Sequence, residues 1–307
     1  MLGGIGVGFE ATLLPCGAAD GRRSSPEHSA RWKRLSYIRP MALSSSDLQA
    51  ALHGVRALLL DLDGVIILKG TPVHGSVAAI RALEERRLPY RIVTNTSLVS
   101  RASLSRWAAK LGNDIPPGRF QSALSASAAY AARTFPGLPL YVLASDDART
   151  EFDGQRLLSH DEARAPGAHA AAVIVGDSPE ELTHENLNRA FRLVRAGAEL
   201  IGMHRNPWWL TPDGPTIDSG AYVTALEFAA GVTARIIGKP APAFFSLAID
   251  GLRADVAGRG GSRLRRVDIA MVGDDIRNDV LAGQRAGLRG VFVLTGKHTA
   301  VWLTVKK

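Results

Sequence analysis

The sequence predicts an α/β protein: a Rossmann-like parallel sheet interrupted by an inserted α+β unit. Three observations predict it. From residue 55 strand-like and helix-like segments alternate, the order that builds a parallel sheet with helices on its faces. Apolar runs of strand length end abruptly in polar groups, as at Leu60-Asp61 and Val272-Gly273-Asp274. The pattern breaks after Pro136-Gly137 and resumes near residue 234. With 307 residues the chain is long enough for two ordinary domains. The expected organisation is a first core part at 46–135, the inserted unit at 136–233 and a second core part at 234–307.

Each element has a local signal. Residues 56–60 read as the first strand, 76–87 as a helix with Val77, Ile80 and Leu83 inward, and 90–94 as the next strand. Ser100 caps a helix whose apolar positions are Leu104, Trp107, Ala108 and Leu111, and Gly112 ends it. An Ala-rich helix is expected at 121–133. In the insert, 139–144 and 171–175 read as strands. Thr183 caps a helix carrying Leu187, Ala190, Phe191 and Val194, Gly197 stops it, and 198–203 is a strand. His204 to Ser219 reads as a loop. The first pattern is expected to resume with a strand at 234–237, ended by Gly238-Lys239-Pro240. Pro242 suits the first turn of a helix bearing Phe245, Ala248, Ile249 and Leu252. A strand at 267–272, a helix at 277–286 stopped by Gly287, and a strand at 290–294 complete the series.

Composition narrows the function classes. Hydrophobic residues make up 46% and charged residues 21%, as in an ordinary globular protein. No apolar stretch approaches the roughly 20 residues of a membrane span, so no membrane partner is expected. The net charge of +8 is dispersed, without a basic stripe interleaved with aromatics, so nucleic acid is not an expected partner. The single cysteine, Cys16, excludes an internal disulfide framework and a Cys-rich zinc site. Residues 1–45 are rich in Gly, Ser and Arg and lack periodicity, and are expected to be a disordered or non-native extension. Met41 opens a segment that reads like a natural start. No secretory signal is recognisable, and the expected location is cytoplasmic.

Chemistry concentrates at the strand ends. Asp61 and Asp63 are one residue apart after an apolar run, and the strand period of two lets them project together. Charges beside a buried strand need compensation, and a hard divalent cation takes carboxylate oxygens. Open α/β sheets bind ligands at this end of their strands. Alone, Asp-x-Asp-Gly is equally a solvated turn, and Gly273-Asp274-Asp275 is equally a helix cap. Thr94-Asn95 alone is a turn, and Lys239 alone a surface lysine. Their joint occurrence at successive predicted strand ends is what points to a site.

In this order, Asp61-x-Asp63-Gly64, Thr94-Asn95, Lys239 and Gly273-Asp274-Asp275-x-x-x-Asp279 resemble the four motifs of the haloacid dehalogenase (HAD) superfamily of phosphohydrolases. The likeness covers about 55–297. The position of the insert resembles the IIA subfamily, with a C2-type cap. Gly220-Ala221-Tyr222-Val223-Thr224-Ala225-Leu226-Glu227, Gly238-Lys239-Pro240 and Thr295-Gly296-Lys297 are similar to its phosphatases of phospholysine, phosphohistidine and pyrophosphate. The resemblance implies that Asp61 attacks phosphorus to form an aspartyl-phosphate. It implies that Asp63 is the general acid and base, contributing its backbone carbonyl to the metal. Mg²⁺ would be held by Asp61, Asp63 and Asp274. Thr94, Asn95 and Lys239 would bind the phosphoryl oxygens. Asp279 would orient Lys239 or a metal-bound water, and Asp275 would support a neighbour or cap a helix.

The resemblance implies an Mg²⁺-dependent phosphatase of small phosphorylated metabolites, or of phosphoamide and pyrophosphate bonds. A non-catalytic or regulatory binding module on the same fold is the alternative. Substrate selection is expected from the cap loop, with His204, Asn206 and Trp208 lining the entrance and Arg205 meeting an anionic group. Trp208 and Trp209 serve equally well as cap core or as an oligomer interface, and a homodimer through the cap is an assembly this arrangement permits. The chain ends within ten residues of Lys297, before the further strand and helix of relatives, which would leave a sheet edge uncovered.

Overall fold

The computed structural model describes residues 11–13, 49–50, 52–211 and 213–296. Most of the N-terminal extension and residues 297–307 lie outside the described residues. In chain order the strands are β1 (Ala11–Leu13), β2 (Ala57–Leu60), β3 (Ile67–Leu68), β4 (Thr71–Pro72), β5 (Tyr90–Thr94), β6 (Phe120–Ser122), β7 (Leu140–Leu143), β8 (Ala172–Val175), β9 (Glu199–Gly202), β10 (Trp208–Thr211), β11 (Gly214–Ile217), β12 (Arg235–Ile236), β13 (Ile269–Gly273) and β14 (Arg289–Val293).

Two parallel sheets organise them. The larger has the order β1-β14-β13-β2-β5-β6. Its strands run parallel except β1, which pairs antiparallel along β14. The edge expected to lie open is therefore lined by residues 11–13. The chain moves from β2 outward to β5 and β6, then returns on the other side of β2 as β13 and β14. That reversal places the ends of β2 and β13 side by side at a topological switch point. Ala57, Leu59, Leu60, Ile92 and Val93 are buried, as strands covered on both faces require.

The inserted segment forms the second sheet, of order β12-β9-β8-β7. Its strands all run parallel, which refines the expectation of an α+β unit. The strand expected at 234–237 is the short β12, and it pairs with β9 in this second sheet rather than joining the first. The segment His204 to Ser219, expected as a loop, contains the antiparallel hairpin β10–β11. Its prolines and Gly214 disguise two short runs that pair with each other alone.

Helices cover the sheets. Thr183 and Ser100 cap their helices as expected, accepting from the backbone N–H of Asn186 and Ser103. The Ala-rich helix begins at Ala123, because Phe120–Ser122 is taken into the first sheet and Ser122 exchanges cap hydrogen bonds with Ser125. The helix expected at 277–286 opens as a wider π turn, Ile276–Leu281, before Ala282–Arg285.

One apolar cluster joins both sheets. It includes Leu59 and Val93 of the first, Val142, Ile174 and Ile201 of the second, Ala123, Ala126 and Ala131 of the Ala-rich helix, and Phe244 and Phe245 of helix Pro242–Ala257. Small side chains on the Ala-rich helix allow close packing there, so added volume has nowhere to go. Ala131→Leu is expected to destabilise the protein by about 1–3 kcal/mol, read as a lower denaturant midpoint at unchanged slope.

Candidate active site

The turn after β2 carries Asp61, whose backbone N–H donates to Val272 of β13 (2.9 Å). Asp61 Oδ1 accepts from the Leu62 N–H (2.8 Å) and from Lys239 Nζ (2.7 Å). Its Oδ2 takes no hydrogen bond among the described residues. Lys239 is buried and donates in addition to Asp279 Oδ1 (2.7 Å) and the Val93 carbonyl (3.1 Å). Three donors thus meet three acceptors. Asp279, fully buried, uses its other oxygen to accept from the Asp275 N–H (3.1 Å). The carboxylates of Asp61, Asp274 and Asp279 lie within 4.8 Å of one another.

This crowding shifts the titrations. Burial pushes Asp61 up to about 6, Lys239 opposes it, and Asp274 and Asp63 add to the rise. Burial by itself works against the Lys239 ammonium, but Asp279 and Asp61 outweigh it and hold it above the ordinary lysine range. Desolvation holds the Asp279 carboxyl well above the usual range. Asp63 reaches solvent, yet desolvation by the surrounding protein raises its carboxyl, against the pull of Lys239 and helped by Asp279.

Several carboxylates face one ammonium, and that surplus of negative charge fits a divalent cation. Both Asp279 oxygens already accept hydrogen bonds, which gives that residue to Lys239 and the Asp275 backbone. The Asp63 carbonyl oxygen accepts no hydrogen bond among the described residues. Asp275 caps the next turn, accepting from the Arg277 and Asn278 N–H groups. Thr94 Oγ1 lies 3.0 Å from Thr96 Oγ1 and accepts from the Thr96 N–H. Asn95 donates to the Lys239 carbonyl (3.0 Å).

The eight residues named from the motifs therefore converge on the ends of β2, β5 and β13 and on the Lys239 segment. Two glycines that stand in the motifs carry no assigned role toward Asp274 in the sequence. Gly64, at φ +78°, and Gly296 both pack on the Asp274 carboxylate, and a Cβ on either would collide with it. Thr295 donates its hydroxyl to the Gly64 carbonyl.

The access loop departs from expectation. His204 is buried rather than lining an entrance. Its Nδ1 faces the Asn206 N–H (3.3 Å), and its Nε2 lies 3.1 Å from both Ser97 Oγ and Ser219 Oγ. Arg205 is paired with Glu227, which also accepts from the Ala234 N–H, and its side chain remains 44% exposed. Asn206 reaches Asn95 at 3.5 Å. Trp208 and Trp209 are 46% and 41% exposed, so they do not form a core of the inserted unit.

Burial drives the His204 ring down to about 4, so it is neutral and its 3.6 Å approach to Asp218 is not an ion pair. A folded value below the unfolded 6.5 means the unfolded chain binds the extra proton. This contribution is fully present above pH 6.5 and is lost as pH falls toward about 4, on the order of 3 kcal/mol in all. Asp177, pushed up to about 6 by desolvation, Asp218 and Glu180, has the opposite sign: its contribution is lost as pH rises through that value. Comparing wild type with His204→Gln cancels Asp177. The stability advantage of wild type, read from urea unfolding, is expected to shrink from pH 7 to pH 4.5.

Known proteins share this arrangement of sequence and fold. The description haloacid dehalogenase-like hydrolase matches residues 58–157, and a HAD-hydrolase-like description matches 236–307. Phospholysine phosphohistidine inorganic pyrophosphate phosphatase of Homo sapiens is 33% identical over 252 residues, covering 80% of this chain and 85% of that protein. Haloacid dehalogenase-like hydrolase domain-containing protein 2 of Bos taurus is 32% identical, covering 82% and 88%. Among solved structures, p-nitrophenyl phosphatase from Archaeoglobus fulgidus superposes with a TM-score of 0.69 at 27% identity, covering 80% of this chain and 88% of that one.

Proposed function

We propose, from the premise that this chain belongs to the haloacid dehalogenase-like hydrolase family, that it is a phosphatase working through a covalent phosphoryl-aspartate on Asp61. The observation that carries this is the convergence of Asp61, Lys239, Asp274 and Asp279 at the switch point of the first sheet. The names of relatives support phosphoamide, pyrophosphate and phosphate-ester bonds as the class cleaved, and the proposal extends this to small phosphorylated metabolites.

Asp61 Oδ2 attacks phosphorus while Oδ1 stays held by Lys239 and the Leu62 N–H. The bond to the leaving oxygen breaks, and that oxygen takes its electron pair and a proton from Asp63. The raised carboxyl of Asp63 suits this role, because it keeps a proton longer than an ordinary aspartate. Water then attacks the same phosphorus and returns a proton to Asp63, the bond to Asp61 breaks, and phosphate leaves. Splitting the displacement in two lowers each barrier. Thr94 and Asn95 hold phosphoryl oxygens, and Lys239 supplies positive charge beside the nucleophile. Asp61, Asp274 and the Asp63 carbonyl would hold Mg²⁺, which when bound offsets the charge of an incoming phosphate and keeps Asp61 ionised. The second sheet serves as a C2-type cap that restricts access. Among the described residues no helix is long and apolar enough to cross a membrane. The proposal takes the enzyme as cytoplasmic, on the lone cysteine and the metabolite-sized substrates.

Release of p-nitrophenol from para-nitrophenyl phosphate tests this directly. Turnover is expected with Mg²⁺ and lost on chelation. Asp61→Asn should fall below about one thousandth of wild-type kcat, and Asp63→Asn by about 10²–10⁴-fold. A purified, folded Asp61→Asn enzyme that still turns over would remove the nucleophile assignment.

The proposed assembly is a homodimer through the cap. Trp208, Trp209, Ile217, Val232 and the 92% exposed Phe228 put apolar surface on this unit, of the kind an isologous contact covers. Sedimentation velocity should show a dimer for wild type and a monomer for the doubly substituted Trp208→Glu, Phe228→Glu protein.

A further inference from the structure

The hairpin β10–β11 stands on two feet, and both converge on one buried imidazole. The first foot is His204 itself, two residues past the end of β9. The second is Asp218-Ser219, where the chain leaves β11 and enters helix Ser219–Ala230. Ser219 Oγ lies 3.1 Å from His204 Nε2, and the Asp218 carboxylate accepts from the Ser219 N–H (2.7 Å). The third party is Ser97, on the turn three residues beyond Thr94, with its Oγ 3.1 Å from the same Nε2. Ser97, His204, Asp218 and Ser219 are each at most 4% exposed.

Hydrogen-bond chemistry assigns the tautomer. The Asn206 N–H can only donate, so Nδ1 accepts and Nε2 carries the proton. That proton is shared between Ser97 and Ser219. Ser97 Oγ also accepts from the Asp177 N–H (2.9 Å), at the end of β8. The turn of the first sheet is thus gripped by donors from two strand ends of the second. Nearby, Asn206 meets Asn95 at 3.5 Å, and the Met203 carbonyl accepts from Gly238, the residue before Lys239.

We propose that His204 is a positioning residue: it ties both feet of the aromatic hairpin to the phosphate-binding turn through Ser97, so that the access loop and the turn hold one arrangement. This rests on the phosphate-binding role proposed for Thr94 and Asn95. His204 touches no reacting atom. It acts through Ser97 on the backbone that carries Thr94 and Asn95, where a small displacement is costly to turnover.

The test uses the full chain with Mg²⁺ and three variants: Ser97→Ala, His204→Phe and the conservative His204→Gln, which keeps a donor. Ser97→Ala and His204→Phe should each lower kcat on para-nitrophenyl phosphate about tenfold, with the double variant no worse than the poorer single one. His204→Gln should recover kcat to within about threefold of wild type. Amide hydrogen exchange should quicken in both 94–97 and 208–217 in either damaging variant. Effects that multiply in the double variant, or exchange that quickens on one side alone, would overturn the proposal. If His204→Phe fails to fold, Ser97→Ala decides by exchange in the hairpin, since that variant leaves the other link named here, Asn95 to Asn206, in place. Exchange is read without turnover, so a chain inactive on para-nitrophenyl phosphate would reject the phosphatase reading and leave this test standing.

Discussion

The buried ammonium of Lys239 is the interaction on which the rest depends. It reaches Asp61 at the end of β2, Asp279 on the turn after β13 and the Val93 carbonyl near the end of β5. These segments are far apart in sequence, and two of them bring carboxylates into the protein. Without a paired cation, burying those charges would be prohibitive, and removing one partner of such a set leaves the others uncompensated. The lysine does not neutralise the site, because Asp274 and Asp63 remain. That imbalance is what a cation and a phosphoryl group, one positive and one negative, can enter together.

Lys239 is also where the two sheets meet. Strand β12 belongs to the second sheet and ends three residues before it. Gly238 bonds back to Met203 at the end of β9, and Asn95 holds the Lys239 carbonyl from the first sheet. The apolar cluster shared by both sheets lies beneath. The ammonium is therefore fixed by backbone from both units, and any relative movement of the sheets is felt at Asp61, the proposed nucleophile.

The site was legible in the sequence because its signals are local and ordered. Asp61 and Thr94 directly succeed apolar runs, Lys239 and Asp274 follow such runs after a single glycine, and four such endings in one order leave little room for coincidence. What escaped notice depends on partners far along the chain. Nothing around Arg205 in the sequence announces that Glu227, 22 residues on, will pair with it. His204 looks like a loop residue, since nothing in its neighbours announces that Ser97 and Ser219 will enclose it. Strand β12 was readable as a strand, but two residues cannot declare which sheet they join. Strand β6 and the hairpin were hidden by length and by prolines. Gly64 and Gly296 stand in the quoted motifs, but the Asp274 carboxylate and the mutual backbone approach that require them become visible only in the fold.

The two aspartates of the first motif illustrate how one turn can produce unlike groups. Asp61 is buried and has one oxygen held twice, by a backbone N–H and by Lys239, so its other oxygen has a defined direction. Asp63 comes after the first bend of the turn, reaches solvent and has no such tether among the described residues. A nucleophile gains from being held in line, since orientation need not be found anew at each turnover. A group that must first protonate a leaving oxygen and then accept a proton from water needs contact with both and rigidity toward neither. The proposed division of labour stems from burial and tethering, and exchanging the roles would ask the fixed carboxylate to reach water and the solvent-exposed one to attack.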